Sequence, residues 1–245
     1  MDEKKRYHEL ALRAMHTGRS QFTRFLDPAA ERDVLSVANP LGVRVRFFGG
    51  YEDAERRIAA FYDAEAPEDW EFPMETLALK WNAKFCSAQH RDLLGAVMGL
   101  GLERDATGDI CLSSDPGCAY LFCTGDVAGY ITANLESAGR APLSIAPADE
   151  LRIAPPEGTT FRDTVQTLRL DAVLAAGYKL SRSEAQKLIN AGLVKLNHVI
   201  EERTDFRLNE GDLISARGYG RLKLTEIQGE TKKGRIGILL FRYGK

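Results

Sequence analysis

Apolar and polar positions along the chain change period several times, and each change marks an element. Residues 1 to about 40 carry polar faces at helical spacing and read as helical up to "VANP". "VRVRFFGG" then alternates Val and Phe against Arg, the period of a short, half-exposed strand. "YEDAERRIAAFYD" sets Ala54, Ile58 and Phe61 on one stripe with Glu55 and Arg56 outside it, which predicts a helix. The acidic, proline-bounded "AEAPEDWEFP" reads as a connector.

From Met74 the order becomes strand, helix, strand, strand, helix, strand. "METLALKWNAKF" is the first strand, and Ser87 is placed to cap a helix running to about Leu100. "GDICLSS" and "CAYLFCT" flank the turn "DPG", a hairpin signal. "DVAGYITANLESAG" predicts a helix closing on Gly139, and "APLSIAP" the last strand. This βαββαβ order predicts a ferredoxin-like (RRM-like) middle domain, four antiparallel strands covered on one face by two helices. The proline-rich "APADELRIAPPEGTTF" then separates it from the C-terminal third.

The C-terminal third is the most legible. Leu170, Val173 and Leu174 form a short helical stripe, with Gly177 as its expected breaker. Ser181-Arg-Ser-Glu184 spells a capping box, in which the Ser181 side chain takes the Glu184 N–H and the carboxylate reaches back. Ala185, Leu188 and Ile189 follow as the apolar stripe of that helix, and Gly192 ends it. "LVKLN" and "GDLISA" read as strands. The expected class is therefore α+β: an N-terminal helical/αβ domain (1–73), the ferredoxin-like domain (74–150), a linker (151–160) and a small α+β domain with a basic extension (161–245).

Charge sharpens this division. From Thr159 onward the chain has 16 Lys and Arg against 10 Asp and Glu, a net of +6; the preceding residues carry 17 against 25, a net of −8, giving −2 for the whole. A basic module on an acidic body suits a polyanion, most simply nucleic acid. The N-terminus of the second helix offers Ser181, Arg182 and Ser183 to a phosphate, with Lys187 one turn on and Lys195 on the next strand. Beyond it, Arg217, Tyr219 and Arg221 alternate with glycines, and Lys232, Lys233 and Arg235 form a second basic turn, a pattern suited to phosphate contact and base stacking.

No run of about 18 apolar residues occurs, as a transmembrane helix would need, and "MDEKKRYHEL" lacks the apolar stretch of a secretory signal. A cytoplasmic protein without membrane association is expected. Cys86, Cys111, Cys118 and Cys123 show no C-x-x-C spacing and the four histidines stand singly, so free thiols are expected, with no metal and no cofactor.

Residues 168–197 resemble the RNA-binding domain of the fourth protein of the small ribosomal subunit, a module shared with tyrosyl-tRNA synthetases and pseudouridine synthases. The elements that carry the resemblance are Arg169-Leu-Asp171, Ser181 to Ala185, Gly192, Val194 to Asn197 and Gly211-Asp212; His198 departs from it, standing where glycine usually follows Asn197. Together with "GGYEDAERR", "HRDLLGAVMGLGLERDATGDI" and "RGYGR…TKKGR", nearly the whole chain resembles the YlmH family of bacterial RNA-binding proteins. The resemblance implies a monomeric factor that binds rRNA or tRNA on the large ribosomal subunit. There it would hold peptidyl-tRNA during ribosome-associated quality control, with a link to cell division. It also implies RNA contacts at Arg169 and Asn197 within the module. In the first turn of the 90–99 helix, His90 is read as structural, with a secondary RNA contact through His90, Arg91 and Arg104 as the alternative.

Enzyme readings fare worse. The "HRD" at 90–92 has Val97 where a kinase loop needs the magnesium-binding Asn, and Gly99-x-Gly101 is followed by Arg104 where a dinucleotide fingerprint needs glycine. The alternative that stays open is an RNA-modifying enzyme. It would be pseudouridine synthase-like with Asp171 as nucleophile, although Leu174 and Ala176 replace the expected Thr and Gly, or would use Asp92 or Asp109. A third reading makes the acidic body a protein scaffold. The helix from 90 to 99 is expected to lay Asp92, Gly95, Ala96 and Gly99 against another backbone, with Asp109 serving a turn.

Overall fold

The computed structural model describes residues 3–63, 70–231 and 234–244 and divides into two compact units, Met1–Pro155 and Pro156–Lys245. The expected basic pair Lys232 and Lys233 and most of the acidic connector lie outside the described residues.

The first unit opens with α1 (Glu3–Thr17), β1 (Gln21–Leu26), α2 (Glu31–Leu41), β2 (Arg44–Phe48) and β3 (Arg57–Tyr62). Two expectations fail here. The helical stretch to residue 40 is interrupted by β1, because Gly18, at φ +61, ends α1 by returning its N–H to Ala14. The run after Arg56 is a strand. Ile58, Ala59, Ala60, Phe61 and Tyr62 are all buried, since β3 is the middle strand of the sheet β1-β3-β2 and is covered on both faces. Its alternating sides serve two cores, which explains the continuous apolar run. Ala59 and Phe61 pack with Tyr7, Ala11, Val34 and Ala38 of the helices. Ile58 faces the other way, with Phe25.

The second sheet is built from β4 (Met74–Lys80), β5 (Thr107–Leu112), β6 (Cys118–Thr124) and β9 (Ser144–Pro147), with α3 (His90–Gly99) and α4 (Gly125–Asn134) between them. Its strand order is β5-β6-β4-β9, antiparallel throughout. Leu77, Leu79, Ala119, Leu121 and Cys123 face Leu93 and Val97 of α3 and Ala128 and Ile131 of α4. Ala78, Tyr120 and Phe122 face the opposite way and pack against Phe25 and Ile58. The unit is thus a stack of helices, sheet, sheet and helices.

Local expectations need three corrections. The cap of α3 is Gln89, whose backbone N–H donates to Asp92 Oδ2 at 2.9 Å, not Ser87. Gly95 and Gly99 meet no neighbour, so only the Asp92 and Ala96 part of the small-residue stripe is covered, Asp92 lying against Gly139 and Ala96 against the core. α4 stops at Asn134; the rest forms a small hairpin of β7 (Ser137–Ala138) and β8 (Ala141–Pro142).

The second unit carries β10 (Gly158–Val165), α5 (Leu170–Tyr178), α6 (Arg182–Asn190), β11 (Val194–Leu196), β12 (Val199–Ile200), β13 (Leu213–Ala216), β14 (Gly220–Glu230) and β15 (Ile236–Tyr243). The strands form one sheet in the order β10-β15-β14-β13-β11-β12. Val194, Leu196, Ile214, Leu222, Leu224, Ile238 and Leu240 bury one of its faces against Leu170, Val173, Leu174, Ala185 and Ile189. Gly177 does not break α5: it lies inside the helix because a Cβ there would sit 2.1 Å from Leu222 Cδ2. Lys179, at φ 56, closes the helix instead. Asn197 and His198, at φ 47 and 70, make the two-residue β11–β12 turn, so His198 adopts the left-handed conformation usually left to glycine. Among the described residues no helix is long and apolar enough to cross a membrane.

Candidate nucleic-acid interface

The basic side chains at the head of α6 are arranged around a carboxylate. Asp171, in the first turn of α5, is fully buried. It accepts from Arg182 Nη2 at 2.6 Å, Gln186 Nε2 at 2.8 Å, and Arg169 Nε and Nη2 at 3.2 and 3.3 Å. Burial pushes its carboxyl upward, but the donors from Gln186, Arg182 and Arg169 outweigh that and hold it below the usual carboxylate range. One buried charge therefore fixes two guanidinium groups, which remain 39% and 47% exposed and so keep a face toward solvent. Arg169 and Arg182 exceed Asp171 by one charge, which the Glu184 carboxylate of the capping box offsets, and Lys187 one turn on restores a positive excess along α6.

The capping box forms as expected. Glu184 N–H donates to Ser181 Oγ at 3.2 Å, and Ser181 N–H donates to Glu184 Oε2 at 2.8 Å. The Ser181 hydroxyl also donates to Glu184 Oε2 at 2.7 Å, so its role is to begin the helix. Ser183 and Lys187 are exposed on the same element. Arg182 and Arg235 line a single recess of about 400 Å³ with Lys179, Asp163, Ala176 and Leu180. Arg235 spans to the carbonyl of Thr164 on β10.

Other expected residues fall elsewhere. Lys195 stands opposite Ser215, and Ser215 opposite Arg221, across the sheet face turned away from the helices. The Arg221 guanidinium lies 4.7 Å over the Tyr243 ring, and Lys223 is two residues farther along the same strand. Tyr219 and Arg217 are exposed on the β13–β14 turn. The Tyr219 ring packs on Tyr178, whose hydroxyl donates to the Gly220 carbonyl at 2.8 Å and is pushed up to about 12 by burial. Asn197, exposed at the β11–β12 turn, holds that turn to the chain around Asp212: its amide donates to Asp212 Oδ1 at 2.7 Å and accepts from Leu213 N–H at 2.9 Å. The expected residues thus divide between a helix-side group with Arg235, a sheet-face group and a turn. The sequence offered Asp171 as part of the module's motif and as the nucleophile of the enzyme alternative, not as the carboxylate that orients two arginines, and Gln186, Lys179 and Tyr243 were not among the expected residues. An acidic residue inside an apolar stripe was the one available sign of Asp171.

In the first unit, His90 and Arg91 are exposed in the first turn of α3. Arg104 donates to the Thr107 hydroxyl and carbonyl at 3.0 and 3.2 Å. Asp109 accepts from Tyr51 Oη at 3.0 Å and Glu55 N–H at 2.7 Å. The buried Arg56 donates to carbonyls of Thr107, Arg104 and Phe25 at 3.0, 3.1 and 3.2 Å. "GGYEDAERR" and "ERDATGDI" therefore interlock as one joint between the two sheets. Cys111 and Cys123 are free thiols raised by burial to about 11 and about 12. Among the described residues no group of three or more His, Cys, Asp or Glu is placed to hold a metal.

Family models match two stretches: residues 67–150 match "Putative RNA-binding domain in YlmH", and residues 168–214 match the S4 domain. A Bacillus subtilis (strain 168) protein named ribosome-associated protein quality control protein P2 is 38% identical over 227 residues, spanning 91% of this chain and 88% of that protein. The chain belongs to the YlmH family. A solved structure of cell division protein ylmH from Streptococcus pneumoniae is 21% identical, covers 60% of this chain and 92% of that chain, and has a TM-score of 0.46. In this YlmH-family chain the S4 match ends inside β13. Arg217, Tyr219, Arg221 and Arg235 therefore belong to strands and turns added to the S4 module, as does β10 before it.

Proposed function

We propose that the protein is a non-catalytic RNA-binding factor that acts on rRNA or tRNA. On this reading it binds the large ribosomal subunit beside peptidyl-tRNA in ribosome-associated quality control, in the cytoplasm and as a monomer. The observation that carries it is the Arg169–Asp171–Arg182 cluster at the head of α6, which presents two oriented guanidinium groups in the part of the chain with excess positive charge. Arg235, Lys187 and Ser183 extend that contact, and Lys195, Arg217, Tyr219 and Arg221 offer a second one. Likeness to the quality-control protein of Bacillus subtilis supports the ribosomal setting. The non-catalytic part is supported by the engagement of Asp92, Asp109 and Asp171 in capping, joining and ion pairing. We read the βαββαβ segment, with its order β5-β6-β4-β9, as a ferredoxin-like domain.

The test is co-sedimentation of the full chain with isolated large subunits across a sucrose gradient. The wild-type chain is expected in the subunit fractions, and the Arg182→Ala/Lys187→Ala chain at the top. Equal co-sedimentation of both chains, or none by the wild type, would sink the reading.

A further inference from the structure

A four-stranded sheet flanked by helices on one face commonly binds single-stranded RNA on its open face, where aromatic side chains of the central strands stack on bases. In this protein that face is closed. Tyr120 and Phe122 of β6 point to it, yet they are 4% and 0% exposed beneath Phe25 and Ile58 of the first sheet. Tyr51 stacks on Phe122 with ring centroids 5.2 Å apart, and Gly50 lies so close that a Cβ would stand 2.2 Å from the ring. An RNA contact of this unit has to use another surface.

The connection between β4 and α3 supplies one. Phe85 is 86% exposed, far more than any other large apolar side chain described. It stands on a turn that is built rather than loose: Lys84 N–H donates to Asn82 Oδ1 at 3.1 Å, and the N–H groups of Phe85 and Cys86 both donate to the Asn82 carbonyl at 3.1 Å. The flanks are anchored in the core by Trp81, Cys86 and Ala88. Between Glu75 and Asp92 the chain carries Lys80, Lys84, His90 and Arg91 and no acidic residue, with Asp92 lying 3.8 Å from Arg91 Nε, which is itself largely exposed. A recess of about 330 Å³ lined by Lys80, Trp81, Asn82, Pro142, Leu143 and Ser144 adjoins it.

We infer that this connection is a second RNA site, separate from the C-terminal unit. In it an unpaired base stacks on Phe85, while Lys80, Lys84 and Arg91 neutralise the neighbouring phosphates. Aromatic and basic side chains interleaved on one short segment suit a single strand. The inference rests on the RNA-binding reading of the whole chain and locates its contact in the first unit.

The test uses the full chain with a fluorescein-labelled single-stranded RNA oligonucleotide and a blunt duplex of the same sequence. Phe85→Ala is expected to weaken single-strand binding about five-fold or more and to leave duplex binding unchanged. Phe85→Trp is expected to retain affinity, and thermal unfolding of both to match the wild type. In ultraviolet crosslinking with 4-thiouridine RNA, adducts are expected on the peptide spanning residues 80–91. Wild-type affinity in Phe85→Ala, or adducts confined to residues after 156, would overturn the site. The Arg182→Ala/Lys187→Ala chain separates the outcomes. If it alone loses binding, the second site fails and the general reading stands; if the wild type binds no RNA, both fail.

Discussion

Asp171 is a buried charge whose partners are the proposed RNA contacts. Removing the charge frees Arg169 and Arg182 and leaves an amide among their donors. Asp171→Asn is expected to destabilise the unit by about 2–3 kcal/mol, somewhat below a fully buried pair because both arginines are partly solvated. The pH dependence follows from the lowered carboxyl. Its contribution is complete above about pH 4, the ordinary aspartate value, and is lost as pH falls through the lower value of the folded state. Thermal midpoints measured downward from pH 5 should fall in the wild type and fall less steeply in Asp171→Asn. Parallel slopes would remove Asp171 from that role.

Between α5 and the sheet, space rather than propensity decides. Alanine is the better helix former by about 1 kcal/mol, so Gly177→Ala in an unconstrained helix would stabilise. Here the new methyl would meet Leu222, itself wholly buried between β13 and β15, which has nowhere to turn. The expected outcome is a net loss of about 1–2 kcal/mol in urea unfolding, the overpacking cost exceeding the helical gain. The same kind of reason explains the misread elements. The stripe of Ala54, Ile58 and Phe61 matches a helical period, but β3 is apolar at every position from Ile58 to Tyr62 because cores lie on both its sides. Periodicity cannot separate these cases; only the second layer does.

Taken whole, the molecule is net positive in its C-terminal unit and net negative in the other, so RNA binding should depend steeply on salt. A plot of log affinity against log salt concentration should be linear. Lys187→Ala should reduce its slope by about 0.7–0.9, the value of one lost phosphate contact. An unchanged slope would show that Lys187 touches no phosphate. The order of elements from Met74 to Pro147, the capping box at Ser181, the Gly192 stop and the basic C-terminal third were all legible beforehand, because each depends on neighbours within a few residues. The partition of basic residues between helix side, sheet face and turn was not, because strand pairing over long separations sets it.

Local rules thus determined the order of elements from Met74 to Pro147, the start of α6, and which third of the chain attracts polyanions. They act through backbone geometry, side-chain period and net charge, all of which are properties of short segments. Tertiary structure alone decided that Asn197 is spent on Asp212, that Arg169 and Arg182 share Asp171, and that the aromatic face of β6 is buried while Phe85 stands in solvent. Those outcomes depend on which surfaces pack together. Contacts between residues far apart in the chain, such as Asp109 with Tyr51 or Phe122 with Phe25, leave no period in the sequence.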